Sequence, residues 1–236
     1  MPVAGLAGGA FAGMPFRAIA ADPTAPRTTL NPDQALELLR EGNRSFNTDS
    51  PIRSVTGRAR RLELALSQAP FVILVSCSDS RVPPELLFGR GLGEMFIVRN
   101  AGNTVDTTAL GSIEYAVAQL GVPLIVVMGH QRCGAVSAAV SVMEQNAFFP
   151  GAIGAMIEPI VPAVLTAKAL DQGDLTENAV RRNIQRTVDR LRTASEPLLL
   201  DPLADGRLKI VGAYYSLEDG AVDFFDTETA VTSSPG

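Results

Sequence analysis

Three short runs of apolar, largely β-branched residues constrain this 236-residue chain more than anything else in it. They are Phe71-Val72-Ile73-Leu74-Val75-Ser76, Met95-Phe96-Ile97-Val98 and Leu124-Ile125-Val126-Val127-Met128. The first is continuous and without polar alternation, the mark of a parallel strand covered on both faces by helices. Helical spacing fills the gaps: Leu110, Ile113, Ala116, Val117 and Leu120 share one side of residues 107–119, and Ala135, Val136, Ala139, Val140 and Met143 one side of residues 132–145. The β-α-β-α rhythm predicts a mostly parallel sheet with right-handed crossovers. Ligands in such sheets gather beyond the carboxyl ends of the strands, so the residues that close each run are the first candidates for chemistry.

The flanking segments fit a single α/β domain. Asn31-Pro32-Asp33 supplies an N-cap and a proline at the first helical position, predicting an amphipathic helix over 32–46. A second helix is expected over 57–68, with Leu62, Leu66 and Ala69 inward. Residues 151–194 read as helical, interrupted at Pro159 and Pro162 and broken at 171–174; residues 208–215 and 221–225 flank Glu218-Asp219-Gly220 as a C-terminal hairpin. The expected domain spans 27–236, with residues 1–26 an N-terminal extension. Ala18-Ile19-Ala20-Ala21 in that extension resembles a signal-peptidase site but lacks a basic start. It reads either as a truncated export signal, favouring a periplasmic location, or as an arm on a cytoplasmic protein.

A net charge of -5 argues against a nucleic-acid surface, and Arg58, Arg60 and Arg61 read as the solvated face of a helix. No uninterrupted apolar stretch reaches the roughly 18 residues of a membrane span. The chain has two cysteines and one histidine, and all three fall at strand ends. Cys77 opens Cys77-Ser78-Asp79-Ser80-Arg81 after the first run, and Gly129-His130-Gln131-Arg132-Cys133-Gly134 follows the third. Two thiolates and an imidazole are three zinc ligands with a fourth position open, the pattern of a catalytic rather than a closed structural site. Asp79 is a candidate for that fourth position, and a disulfide between the cysteines is the competing reading.

Cys77-x-Asp79-x-Arg81 with His130-x-x-Cys133, together with Arg99-Asn100-Ala101-Gly102-Asn103 and Gly111-Ser112-Ile113-Glu114-Tyr115-Ala116, resembles the β-class carbonic anhydrases. The resemblance implies one Zn2+ per subunit on Cys77, His130 and Cys133. It also implies hydration of CO2 to bicarbonate by a water that zinc ionises near neutral pH. Asp79 then has two places: on zinc, closing the site, or paired with Arg81 and accepting a hydrogen bond from the nucleophile. Gln68 matches a glutamine that contacts bicarbonate in plant-type members, and the chain has no Trp for the bicarbonate inhibition pocket of the allosteric subgroup. Both favour the open arrangement. Phe96 and Tyr115 match aromatic residues that wall the CO2 pocket, in part from a neighbouring subunit, and Gly134 is expected to let the helix after Cys133 start close to zinc and offer a backbone N–H to bicarbonate. The family's unit is a homodimer, often built into larger assemblies.

Three other functions share these residues: a CS2 or COS hydrolase on the same scaffold, a catalytically silent zinc-binding module, and a Cys77–Cys133 redox pair without metal.

Overall fold

The apolar runs form the middle of one five-stranded sheet. In the computed structural model, which describes residues 24–50, 52, 54–170, 173–193 and 197–225, the strands are β1 (Val72–Ser76), β2 (Met95–Arg99), β3 (Leu124–His130), β4 (Lys209–Tyr215) and β5 (Val222–Phe225). Their spatial order is β2-β1-β3-β4-β5; the first four run parallel, and β5 returns antiparallel to β4 as the hairpin signal predicts. Residues 1–23, which hold most of the segment read as a leader or an arm, lie outside the described residues.

Central strands β1 and β3 are buried at every position, while edge strand β2 is half-buried throughout. Successive side chains point to opposite faces, so each strand feeds two cores. Ile73, Val75, Ile125 and Val127 pack with α4 (Thr107–Ala118), α5 (Gly134–Gln145), α7 (Val161–Ala169) and α8 (Leu175–Thr193). Val72, Leu74, Val126 and Met128 pack with α1 (Pro32–Asn47) and α3 (Pro84–Leu87).

Helix α1 begins where the cap signal places it. Asn31 Oδ1 accepts from the Gln34 N–H at 2.9 Å, and Gln34 Oε1 accepts from the Asn31 N–H at 3.0 Å, a reciprocal capping box. The run from α6 (Ala152–Ile157) through α7 is apolar and 18 residues long, but Pro159 and Pro162 break it with a 3₁₀ turn, and Ile157, Ile160, Ala163, Val164 and Ala167 face the core.

Helix α2 (Arg58–Leu64) corrects one expectation. It is shorter than 57–68 and buries none of its residues; Leu62 is 54% exposed and Leu66, beyond its end, 91%. It is held by polar tethers instead, with Arg60 Nε donating to the Leu92 carbonyl at 3.1 Å and Arg61 to the Thr56 carbonyl at 3.0 Å. Helix α3 starts at Pro84, a proline at its first position, and α9 (Pro197–Ala204), which carries Pro202 inside it, lies outside the helical stretches expected from the sequence.

Candidate metal centre

Register brings the strand-end residues together. In the β1–β3 pair Ser76 lies opposite Met128, so Cys77, one residue further, emerges beside the end of β3, where His130 is the last residue. Cys133 is the residue before α5. The ligand atoms of Cys77, His130 and Cys133 all lie within 4.8 Å of one another, and all three residues are buried.

This donor set fits a metal ion. The two sulfurs are 4.0 Å apart, close to the roughly 3.8 Å that two thiolates span on a tetrahedral ion with bonds of about 2.3 Å. A disulfide needs about 2.05 Å, and both cysteines are free. His130 Nδ1 lies 2.9 Å from the Gln131 carbonyl, which fixes the proton on Nδ1 and the lone pair on Nε2. Nε2 is buried with no hydrogen-bond partner, an arrangement that is costly unless a cation takes the lone pair. The thiols are poised as well. The hydrogen bond with Cys133 draws Cys77 down to about 4 against the effect of burial, with help from the N–H groups of Gly102 and Asp79. The same hydrogen bond, then burial and the charge on Cys77, push Cys133 up, so a second thiolate needs a cation between the two sulfurs.

Asp79 stands beside this group without entering it. Arg81 grips its carboxylate with two parallel hydrogen bonds, Nε to Oδ1 at 3.0 Å and Nη2 to Oδ2 at 2.8 Å, and the Arg81 N–H adds a third to Oδ1 at 2.9 Å. Such forked pairs fix geometry as well as charge. Arg81 accordingly holds Asp79 well below the usual carboxylate range. Asp79 Oδ2 lies 3.8 Å from His130 Nε2, so the carboxylate overlooks the space the three ligands surround.

Comparison with known proteins places this arrangement in a family. The family described as Carbonic anhydrase matches residues 72–222. The chain is 39% identical over 193 residues to a carbonic anhydrase of Mycolicibacterium smegmatis, covering 82% of this chain and 93% of the relative. It is 40% identical over 190 residues to carbonic anhydrase 2 of Mycobacterium tuberculosis, covering 80% and 91%. Among solved structures, a tetrameric β-carbonic anhydrase of Sordaria macrospora superposes with a TM-score of 0.64 at 28% identity, covering 70% of this chain and 85% of the other. The Coccomyxa β-carbonic anhydrase in complex with acetazolamide gives 0.61 at 28%, covering 80% and 85%. The chain belongs to the β-class carbonic anhydrase family.

The remaining carbonic anhydrase motif residues are distributed unevenly. Phe96 on β2 and Tyr115 on α4 pack ring to ring, with centroids 6.5 Å apart, and Tyr115 is 52% exposed. Gln68 is exposed and lines a surface cavity with Arg61, Leu64, Leu66, Leu92 and Gly93; none of the three ligands shares that cavity. Gly134 begins α5, and a Cβ on it would meet no protein atom within 4 Å, so packing alone does not demand glycine there.

Other residues support the centre in ways the motifs do not announce. The Gly102 N–H donates to Cys77 Sγ at 3.3 Å. Gly102 has φ +72°, and a Cβ there would sit 2.6 Å from Ile160 Cδ1, so this contact requires glycine. Asn183 Nδ2 of α8 donates to the Gly102 carbonyl at 2.8 Å. Arg99 binds the carbonyls of Cys77 at 2.9 Å and Asp79 at 2.7 Å, shaping the loop between them. The Arg99–Asn103 motif named these residues without revealing that one donates to a ligand sulfur. Asn183 carries no motif signal at all.

Proposed function

We propose that this chain catalyses the reversible hydration of CO2 to bicarbonate and a proton, with one zinc ion per subunit held by Cys77, His130 and Cys133. The observation that carries the reading is the buried, unpartnered Nε2 of His130, facing two thiol sulfurs with the Asp79–Arg81 pair beside it. Zinc on a two-sulfur, one-nitrogen set with an open fourth position supplies the acidity that ionises water near neutral pH. Arg81 keeps Asp79 off the ligand set, and Oδ2, which already accepts from Arg81 Nη2, has a second lone pair to accept a hydrogen bond from the nucleophile's proton, which aims the oxygen lone pair at CO2. Arg99 and the Gly102 N–H hold the Cys77 loop still while this happens. The intact Asp79–Arg81 pair argues against a silent zinc module, because holding a metal does not need it.

The working unit proposed is a homodimer, or an assembly of dimers, joined across the β2 edge. Gln68, Phe96 and Tyr115 gain their roles on bicarbonate and CO2 from the apposed subunit, and Gly134 offers its N–H to bicarbonate at the start of α5. The exposure of Leu62, Leu66 and Tyr115 on one chain supports this reading.

Metal analysis of the purified protein combined with stopped-flow CO2 hydration tests the proposal, with COS and CS2 as parallel substrates. The expected result is about one zinc per chain and CO2 hydration far above the other two activities. Full zinc with hydration at the buffer rate overturns it.

A further inference from the structure

The turn between His130 and Cys133 has three neighbours that pin it from outside. Gln131 is fixed by the end of the sheet: its N–H donates to the Tyr215 carbonyl at 2.9 Å, and its Oε1 accepts from the Leu217 N–H at 3.1 Å. That leaves Arg132 as the one residue between a fixed position and the ligand Cys133. Arg132 has φ +53°, the left-handed conformation that a residue with a Cβ adopts at a cost. Something must hold it there, and the peptide is held on both sides. Its N–H donates to Glu177 Oε1 at 2.9 Å, and its carbonyl accepts from Arg81 Nη2 at 3.5 Å.

Glu177 is itself firmly placed. Asp174 Oδ1 caps α8 by accepting from the Glu177 N–H at 2.9 Å, so Glu177 stands three residues after the cap, where a glutamate ordinarily reaches back to the cap's own N–H. Here its carboxylate reaches out to Arg132 instead, and Oε2 accepts from the Tyr214 hydroxyl. Arg181 lies 4.3 Å over the Tyr214 ring and pairs with Asp223 at 2.9 Å. Helix α8 also packs directly under the end of β3, because Gly129 has no Cβ to strike Ile184 Cδ1, which would be 2.8 Å away. The helix is therefore a rigid platform, and Glu177 is its contact with the turn.

We infer that Glu177 is a positioning residue for the metal-bearing turn: it holds Arg132 left-handed, so that His130 and Cys133 face one cation. This rests on the assignment of Cys77, His130 and Cys133 as metal ligands. Through the Arg132 carbonyl the same restraint reaches Arg81, and so Asp79.

The test is the rate and equilibrium of Zn2+ transfer from the purified protein to a competing chelator. Glu177→Ala is expected to weaken zinc binding about tenfold, the scale of lost outer contacts at metal sites. Glu177→Gln keeps an oxygen acceptor and stays within about threefold of the parent. Adding Arg132→Gly to Glu177→Ala restores retention, because glycine adopts positive φ without cost. Arg132→Val, with Glu177 intact, reproduces the loss, since a β-branched residue resists that conformation. Glu218→Ala, which removes only the partner of the Arg132 side chain, leaves zinc retention unchanged. Unchanged retention in Glu177→Ala, or no recovery on adding Arg132→Gly, overturns the inference. If Glu177→Ala does not fold, equal retention by Arg132→Val and Arg132→Gly overturns it. A parent protein that binds no zinc refutes the ligand assignment instead, so the two failures are distinct.

Discussion

The carboxyl end of β1 and β3 and the outer rim of β2 carry the same family's motif residues in opposite states. At the strand ends, one chain supplies everything: Cys77, His130 and Cys133 are buried, and Arg81, Gly102 and Gln131 each bond to a ligand or to Asp79. At the rim, β2 is only half-buried, α2 buries nothing, and Leu66 and Tyr115 stand in solvent. The first region is finished within the chain. The second holds apolar surface of a kind that isolated soluble domains usually cover. The difference matches the two halves of the proposed chemistry, in which metal binding belongs to one subunit and the walls of the substrate pocket to two.

The largest expected effect removes the finished region. Cys133→Ser replaces a soft thiolate with a poorly ionised hydroxyl, and loss of zinc with at least a roughly 1,000-fold fall in CO2 hydration is expected. Metal analysis and stopped-flow assay read both. Retention of zinc would mean that a group outside these three holds the metal.

Next comes the rim. Leu62→Glu with Leu66→Glu places charge on the exposed apolar face and should weaken dimerisation at least about 30-fold, the scale of losing one hot-spot contact. Analytical ultracentrifugation reads the dissociation, and zinc content should remain at the parental level. Full activity in a monomer would erase the distinction between the two regions.

A smaller effect probes how the finished region is held. Gly102→Ala forces a side chain into positive φ and against Ile160, at an expected cost of roughly 2–3 kcal/mol. Thermal unfolding should show a midpoint lower by about 5–10 °C. An unchanged midpoint would show that the loop moves freely away from the 3₁₀ turn that carries Ile160.

The contrast also explains what the sequence disclosed. Apolar runs identify the strands of a parallel sheet, so β1, β2 and β3 were legible although edge strand β2 is only half-buried, and the ligands followed because they end two of those runs. The Asp79–Arg81 partnership was legible as well, since residues two apart in a loop meet locally. The Gly102 contact with Cys77 Sγ was not, because it joins residues 25 apart through a turn whose direction depends on tertiary packing. Likewise, Glu177 reaches Arg132 across 45 residues, from a position that local rules assign to capping its own helix. Helix α2 was misread for a related reason. Leu62, Leu66 and Ala69 announce an apolar side, but periodicity does not say whether this chain or another covers it.

Zinc content and CO2 hydration measured together on Asp79→Ala test the central claim most directly. None of the three ligands is altered by this change, so zinc should remain at about one per chain. Removal of the acceptor that orients the nucleophile should lower kcat about 100-fold, the scale of a single positioned proton acceptor. Unchanged hydration with zinc in place would contradict the role assigned to Asp79 and to the Arg81 pair that holds it off the metal.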